Sequence, residues 1–391
     1  MEATELRELL TPAGLTLLDS VGAQDASTDV VRAVSELRRA GYPPALVAAV
    51  LTQARLRTKA RAKFGPFADR MLFTEAGLEQ ATRLRVAAGH AGRFRDAGLV
   101  RVADLGCGIG ADALAMAAID LEVTAVDVDE VTSAVAAYNL APWPDATVVH
   151  ADATAFDLTG FDAAWVDPAR RSDGRRLPDP ADWSPSLDFA FTLPVPAGIK
   201  LGPGIDRSLL PAGTEAQWVS VGRDVVEVVV WTGALARPGV GRAALVLGVD
   251  GAAELTSAAD SEDEGAGDLG EFLLEPDGAV IRARLIGDLA RRVDGRMLDT
   301  SIAYVTADAA TPTPFGTWFR VREEFPLDEK VLRRELRARG IGTLEIKKRG
   351  IDVDPAVLRT RLAPKGPGAA TLVLTRVGGR RRALLADRVE E

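Results

Sequence analysis

The chain has 391 residues, 47 % of them hydrophobic and 26 % charged, with a net charge of -9 at neutral pH. Such a composition excludes wholesale disorder and leaves enough chain for two or three domains with a substantial core. One cysteine, Cys107, and two histidines, His90 and His150, exclude an internal disulfide and a zinc site made of Cys and His. The opening "MEATELRELL" has no basic region followed by an apolar one, and no stretch approaches about 18 uninterrupted apolar residues. A cytoplasmic protein without metal or membrane span is expected. The charge is unevenly spread: from Trp318 to Glu391 there are 18 Lys and Arg against 11 Asp and Glu, so this tail carries +7 and the remainder -16. One end is therefore suited to an anionic partner.

In chain order, residues 1 to about 65 lack strand-like alternation and read as helices interrupted by "AQDAST" and "GYPP". In the last of these, Leu56, Ala60 and Phe64 share a face, Arg55, Lys59 and Lys63 line one flank, and Arg57 and Arg61 line the other. This layout suits either a packed helix whose basic side chains snorkel or a surface that tracks phosphates.

From Leu99 to Val249 short apolar runs alternate with helical stretches, the pattern of βαβ units and a parallel sheet. The expected strands are "VRVADLG", "LEVTAVD", "ATVVHAD", "DAAWVD", "GIKLG", "DVVEVVVW" and "RAALVLGV". The last two are joined by "TGALARPGVG", short enough to predict an antiparallel hairpin. Residues 256–268, "TSAADSEDEGAGD", read as a solvated acidic linker. A strand and an Asp277-capped helix follow. The tail then predicts a helix stopped by Gly340, the strand "GTLEIKK", a helix capped by Asp354 with Pro355 in its first turn, and two strands around Gly378 and Gly379. The expected organisation is a helical domain at 1–65, a catalytic α/β domain at 66–250, an acidic linker at 251–269, a connecting strand and helix at 270–316, and a small α+β domain at 317–391.

"VADLGCGIGADALAMA" (102–117) places Gly106, Gly108 and Gly110 between a strand and a helix, where the backbone must turn tightly and come close to a ligand. Gly106, Gly108 and Ala111 also satisfy the dinucleotide fingerprint, which is weak when alone. Asp104, two residues before the first glycine, would oppose a pyrophosphate but accept hydrogen bonds from a cationic amine. Asp127 ends the next strand, where a carboxylate takes ribose hydroxyls, and Asp152 in "HADAT" suits an adenine amino group. Three acids around a nucleoside bearing an amino-acid tail describe S-adenosylmethionine better than a nicotinamide dinucleotide.

"DLGCGIGAD", "AVDVDE", "HADA" and "VDPAR", in this order and spacing, resemble the motifs of class I S-adenosylmethionine-dependent methyltransferases. Together with "FGPFADRMLFTEAGLEQAT", "GIKLGPGID", "EPDGAVIRA" and "EIKKRG", they are similar to a bacterial methyltransferase family with a THUMP-like C-terminal domain. The resemblance implies a Rossmann-like seven-stranded sheet flanked by an N-terminal helical domain and a small α+β domain. It implies that Asp104, Gly106, Cys107, Gly108 and Gly110 line the methionine part of the cofactor, Cys107 as a small loop residue and not a nucleophile. Asp127 with Val128 would hold the ribose, and Asp152 with Ala153 the adenine edge. Phe73, Thr74 and Gln80 fall in a segment that closes over the cofactor in relatives, although Phe73 equally suits plain core packing.

In related enzymes that methylate amino nitrogens, the fourth strand ends in an Asp or Asn, two prolines and an aromatic. Here Asp167 and Pro168 keep the first half of that pattern. The carboxylate would accept the acceptor's N–H, and the proline would fix φ and aim the preceding carbonyl. Ala169 and Arg170 depart from the second half, and an arginine plane can stack on a base or hold a phosphate. Arg171, Arg175 and Arg176 read better as a solvated loop. Lys200 in "GIKLG" is a candidate substrate contact, as are Lys347, Lys348 and Arg349 in "KKRG" and Arg380 in "GGRRR". THUMP domains deliver RNA to an attached catalytic domain, so the resemblance makes RNA the leading substrate. A protein or small-molecule methyltransferase, a non-catalytic S-adenosylmethionine or RNA binder, and a dehydrogenase are the competing readings.

Overall fold

The computed structural model describes residues 3–21, 30–169, 171–172, 175–262 and 265–389. They divide into two compact units, one of Met1–Leu201 with Val230–Ala236 and the other of Gly202–Val229 with Arg237–Glu391.

The first unit begins with helices α1 (Ala3–Leu9), α2 (Pro12–Val21), α3 (Val30–Arg39) and α4 (Pro44–Phe64). "AQDAST" lies outside the described residues, whereas "GYPP" separates α3 from α4 as expected. α4 buries Leu56, Ala60 and Phe64 on one face. Helices α5 (Glu75–Gln80) and α6 (Leu84–Asp96) lead into the alternating region: β1 (Arg101–Leu105), α7 (Ala111–Ala117), β2 (Glu122–Asp127), α8 (Glu130–Leu140), β3 (Ala146–His150), β4 (Ala163–Val166), α9 (Leu187–Phe191) and β5 (Ala197–Leu201). These strands stand in the order β5-β4-β1-β2-β3, all parallel. The chain runs outward from β1 to β3 and restarts on the other side of β1 with β4. This reversal between β1 and β4 opens a crevice at the carboxyl ends of the two strands.

β6 (Glu215–Val221) and β7 (Asp224–Trp231) follow, and β7 passes from the second unit into the first, where its end lies beside β5. Gly222 and Arg223, both with positive φ, are the two-residue turn of a β6–β7 hairpin, which makes β7 antiparallel to β6. The antiparallel strand is therefore present, but its hairpin differs from the expected one. β8 (Arg242–Leu247) pairs in parallel with β6 and not with β7, and β9 (Ala252–Ser257) pairs antiparallel with β8.

Sequence reading missed β6 because "EAQWVSV" carries Glu215, Gln217 and Ser220 although all three are buried. Tertiary partners offset that polarity. Arg237 bridges Glu215 at 2.6 Å and Glu254 at 2.5 Å, and Gln217 donates to Glu254 at 2.5 Å. Glu254 belongs to β9, so residues 252–257 are a strand and not the start of an acidic linker.

In the rest of the second unit, β10 (Phe272–Pro276), α10 (Gly278–Arg282), α11 (Ile286–Arg292), β11 (Arg296–Asp299), β12 (Ile302–Ala307), β13 (Gly316–Pro326), α12 (Glu329–Ala338), β14 (Ile341–Lys348), α13 (Pro355–Leu362), β15 (Gly368–Val377) and β16 (Arg380–Arg388) form a second sheet with its helices. The strand order is β11-β12-β10-β13-β16-β15-β14, so the connecting segment shares one sheet with the C-terminal α+β region. Alternate residues of the same strands build two cores: Leu372, Leu374, Ala383 and Leu385 pack with α12 and α13, while Val373, Leu384 and Ala386 pack with Tyr304 and Phe319.

Gly198 in β5 leaves room for two indoles; a Cβ there would lie 2.6 Å from the Trp231 ring and 2.7 Å from that of Trp165. Both rings are fully buried, so they have no free space to yield. Gly198→Ala should therefore lower unfolding stability by about 1–3 kcal/mol, read as a fall in denaturant midpoint without a change in slope.

Candidate active site

Strand pairing aligns Val126, Leu105, Val166 and Ile199 in one row. The residues one step later, Asp127, Gly106, Asp167 and Lys200, form the next row at the carboxyl edge. Gly106, Gly108 and Gly110 have φ of 86°, 55° and 82°, values that exclude most side chains. The Gly106 and Cys107 amides both donate to the Val126 carbonyl, at 2.9 and 3.0 Å. A Cβ on Gly106 would stand 3.0 Å from the Asp167 carbonyl oxygen, so the glycine loop passes directly beside the end of β4.

Asp104 is 1 % exposed, and neither carboxylate oxygen has a hydrogen-bond partner among the described residues. Burial, reinforced by the negative neighbours Asp112 and Asp167, pushes its pKa well above the ordinary carboxylate value. An unpaired buried carboxyl is costly unless a ligand completes it. It fits the cationic amine of S-adenosylmethionine.

Asp127 accepts from the Gly108 and Asp129 amides at 3.0 and 2.9 Å, one on each oxygen, which leaves lone pairs for ribose hydroxyls. Burial raises its pKa against those two bonds. Asp152 is exposed and uses one oxygen for the amide and hydroxyl of Thr154, which lower its pKa. Val128 is exposed and Ala153 buried. The Cys107 thiol is pushed up by burial, so it is held neutral.

The segment before β1 is tied to this loop. Asn139 of α8 exchanges hydrogen bonds with the Leu72 backbone at 2.8 and 3.0 Å and donates to the Ile109 carbonyl at 2.9 Å. A Cβ on Gly77 would lie 2.4 Å from Ile109. Phe73 is fully buried with its ring 5.7 Å from that of Phe64, Thr74 caps α5 by accepting from the Gly77 amide at 2.9 Å, and Gln80 is exposed at the end of α5. The basic flanks of α4 act as clamps on the same segment. Arg57 donates to the Met71 carbonyl at 2.9 Å, Arg55 meets Glu75 at 2.7 Å and Arg61 meets Asp69 at 3.1 Å. Lys63 donates to the carbonyls of Leu78, Glu79 and Ala81 at 2.7–2.8 Å.

Asp167 stands beside a buried polar chain. Lys200, 7 % exposed, donates to Asp167 at 2.5 Å and to the Thr82 hydroxyl at 2.9 Å. Thr82 donates to Asp112 at 2.7 Å, and the other Asp112 oxygen lies 2.8 Å from His90 Nδ1. The His90 ring stacks on Trp165 at 4.4 Å. Burial alone would raise Asp112, yet the hydrogen bond and charge of His90, with Lys200 and Thr82, hold it below the ordinary value. Lys200 thus touches the Asp167 carboxylate itself. Thr82, Asp112, His90 and Asn139 escaped sequence reading; the available signal was a polar residue interrupting an apolar helical run, as Asp112 does in "ADALAMA".

Arg170 lies outside the described residues. In the second unit Lys347 is engaged by Glu275 at 2.8 Å and Glu345 at 3.4 Å, Lys348 and Arg380 are exposed, and the Arg349 guanidinium lies 5.2 Å from the centre of the Tyr304 ring.

Comparison with known proteins agrees with this geometry. Residues 102–169 match a methyltransferase domain, residues 316–388 a THUMP domain-like family and residues 2–60 a domain of unknown function. An uncharacterized S-adenosylmethionine-dependent methyltransferase of Mycobacterium tuberculosis is 34 % identical over 334 residues, 83 % of this chain and 91 % of that protein. A crystal structure of a candidate methyltransferase from Porphyromonas gingivalis W83 superposes with a TM-score of 0.77 at 21 % identity, covering 98 % of this chain and all of the other. The chain belongs to the S-adenosylmethionine-dependent methyltransferases, and S-adenosylmethionine is its cofactor. Within that class it carries a THUMP-like domain at its C-terminal end.

Two outcomes follow from the electrostatics. Burial holds the Asp104 carboxyl well above its ordinary range and a nearby ammonium favours its ionised form, so cofactor binding should release protons and tighten as pH rises through the range in which the cofactor-free carboxyl titrates. Calorimetry in buffers of different ionisation enthalpy should record that release; Asp104→Asn should abolish it and weaken binding by about 1.5–3 kcal/mol. Lys63 is lowered to about 8, mainly by burial and then by the charges of Arg83 and Lys200. Between pH 8 and its ordinary value of 10.5 the unfolded chain holds a proton the folded one lacks, so this group makes stability rise with pH. Resonances of the Lys63 side-chain methylene next to Nζ should titrate near pH 8.

Proposed function

We propose that the protein methylates an amino nitrogen of a base in structured RNA, with Asp167 and the Pro168 turn aligning the acceptor. The observation that carries this reading is the close approach of Gly106 to the Asp167 main-chain carbonyl, which brings the end of β4 beside the cofactor loop. S-adenosylmethionine supplies an electrophilic methyl group on a sulfonium. The chain's own contribution is positioning and a matched field. Asp167 accepts from Lys200 through one carboxylate oxygen, and a carboxylate has about four lone-pair sites, enough to serve an incoming N–H as well. Its negative charge favours the positive charge that develops on the attacking nitrogen. The Lys200 ammonium favours the ionised form of Asp167, so the carboxylate serves as a hydrogen-bond acceptor and needs no histidine base. Pro168 is buried and fixes φ immediately after the carboxylate.

Support for RNA comes from the THUMP domain-like match at 316–388 and from the +7 tail on an otherwise acidic chain. Aromatic residues are 5 % of the sequence, which favours recognition of RNA shape and backbone over stacking on single strands.

Nucleosides from cells with and without the protein, compared by mass spectrometry, should differ in one base-methylated species. Asp167→Ala should lower turnover by about 10²–10⁴-fold while cofactor affinity stays within a few-fold of wild type. Methyl incorporation that resists ribonuclease, with the nucleoside profile unchanged, would place the acceptor in protein or a small molecule instead.

A further inference from the structure

The second unit holds a cavity of about 510 Å³, open to solvent, whose ten described lining residues include four arginines, Arg207, Arg282, Arg284 and Arg349, and no acidic residue. Three stretches far apart in sequence converge there: the loop after β5, the end of α10 and the turn after β14. Among the described residues the counter-charge is Asp260, which Arg207 meets at 3.0 Å and Arg284 at 3.9 Å. That carboxylate is divided further, since Arg242 holds it at 2.8 Å. Arg282 donates to the uncharged Pro203 carbonyl at 3.0 Å, and Arg349 lies over the Tyr304 ring. Arg282 and Arg349 therefore meet no carboxylate at ion-pair distance among the described residues, and they present positive charge to the cavity through planar groups with several donors each.

We infer that this cavity binds a phosphodiester of the RNA acceptor. The inference rests on the RNA reading above and adds a location to it. Arg207, Arg282 and Arg284 precede the THUMP-like segment and Arg349 lies within it, so the contact extends beyond the stretch on which RNA binding would otherwise be sought. Guanidinium donors engage phosphate oxygens two at a time, and a concave wall concentrates the field of all four. No base edge is read there, so the contribution is to affinity and register and not to sequence choice.

The test is binding of bulk transfer RNA to the full chain across a salt series, for wild type and for the double variant Arg282→Gln, Arg349→Gln. Calorimetry with S-adenosylhomocysteine serves as the folding control, because neither arginine belongs to the cofactor site. With that control intact, the variant should bind at least tenfold more weakly, and the slope of log K against log salt should shrink by about 1, for the one phosphate no longer neutralised. The charge-conserving pair Arg282→Lys, Arg349→Lys should keep the slope but lose several-fold in affinity, because an ammonium cannot make the paired guanidinium contact, and that loss is the reading should the glutamine variant fold poorly. Wild type that binds RNA alongside a glutamine variant of unchanged affinity and slope, or a lysine variant of unchanged affinity where the glutamine one folds poorly, overturns the cavity assignment alone. Wild type that binds no RNA even at low salt overturns the cavity assignment and the RNA reading together.

Discussion

The ammonium of Lys200 is the interaction on which the catalytic crevice depends. It sits at the carboxyl edge of the sheet, 7 % exposed, between the Asp167 carboxylate and the Thr82 hydroxyl that leads to Asp112. Four acidic side chains, Asp104, Asp112, Asp127 and Asp167, crowd this edge, and like charges at such separation cannot all be ionised without compensation. Lys200 and His90 compensate two of them. Asp104 has no hydrogen-bond partner among the described residues, which is the condition for binding a cationic cofactor tightly. The distribution of partners, more than the number of acids, distinguishes the acceptor side of the crevice from the cofactor side.

Sheet register makes this possible. Because side chains alternate along a strand, a slip of one residue between β1 and β4 would send Asp167 to the opposite face from Asp104. Both faces of β1 and β4 are buried, so any slip would drive the side chains of Val126, Leu105, Val166 and Ile199 into space already filled on the other face. Core packing thereby enforces the alignment of Asp127, Gly106, Asp167 and Lys200. Gly198, lodged against Trp165 and Trp231, anchors β5 at the same height.

The basic flank of α4 and the Lys347 region carry a common lesson about charge. In both, cations that suit phosphate on sequence grounds are used internally. Lys63 ends α5 by satisfying three carbonyls, which helix termini leave open, and Lys347 answers Glu275 of β10. The arginines that do concentrate on one cavity come mostly from segments whose charge drew no notice in sequence.

How much of the molecule was legible in the amino-acid order follows from the range of the forces involved. The order alone determined the glycine loop, the carboxylates at strand ends, the Asp277 and Asp354 caps and the alternating β and α segments, because each depends on neighbours within a few residues. It also carried the family resemblance that named the cofactor. It did not reveal β6, whose Glu215 and Gln217 look unfit for a buried strand until Arg237 and Glu254 arrive from elsewhere in the chain. Nor did it reveal that residues 252–257 pair with β8, or that Lys200 pairs with Asp167. Those were decided by tertiary structure, since the free energy of a buried polar group depends on partners that only folding brings within about 3 Å.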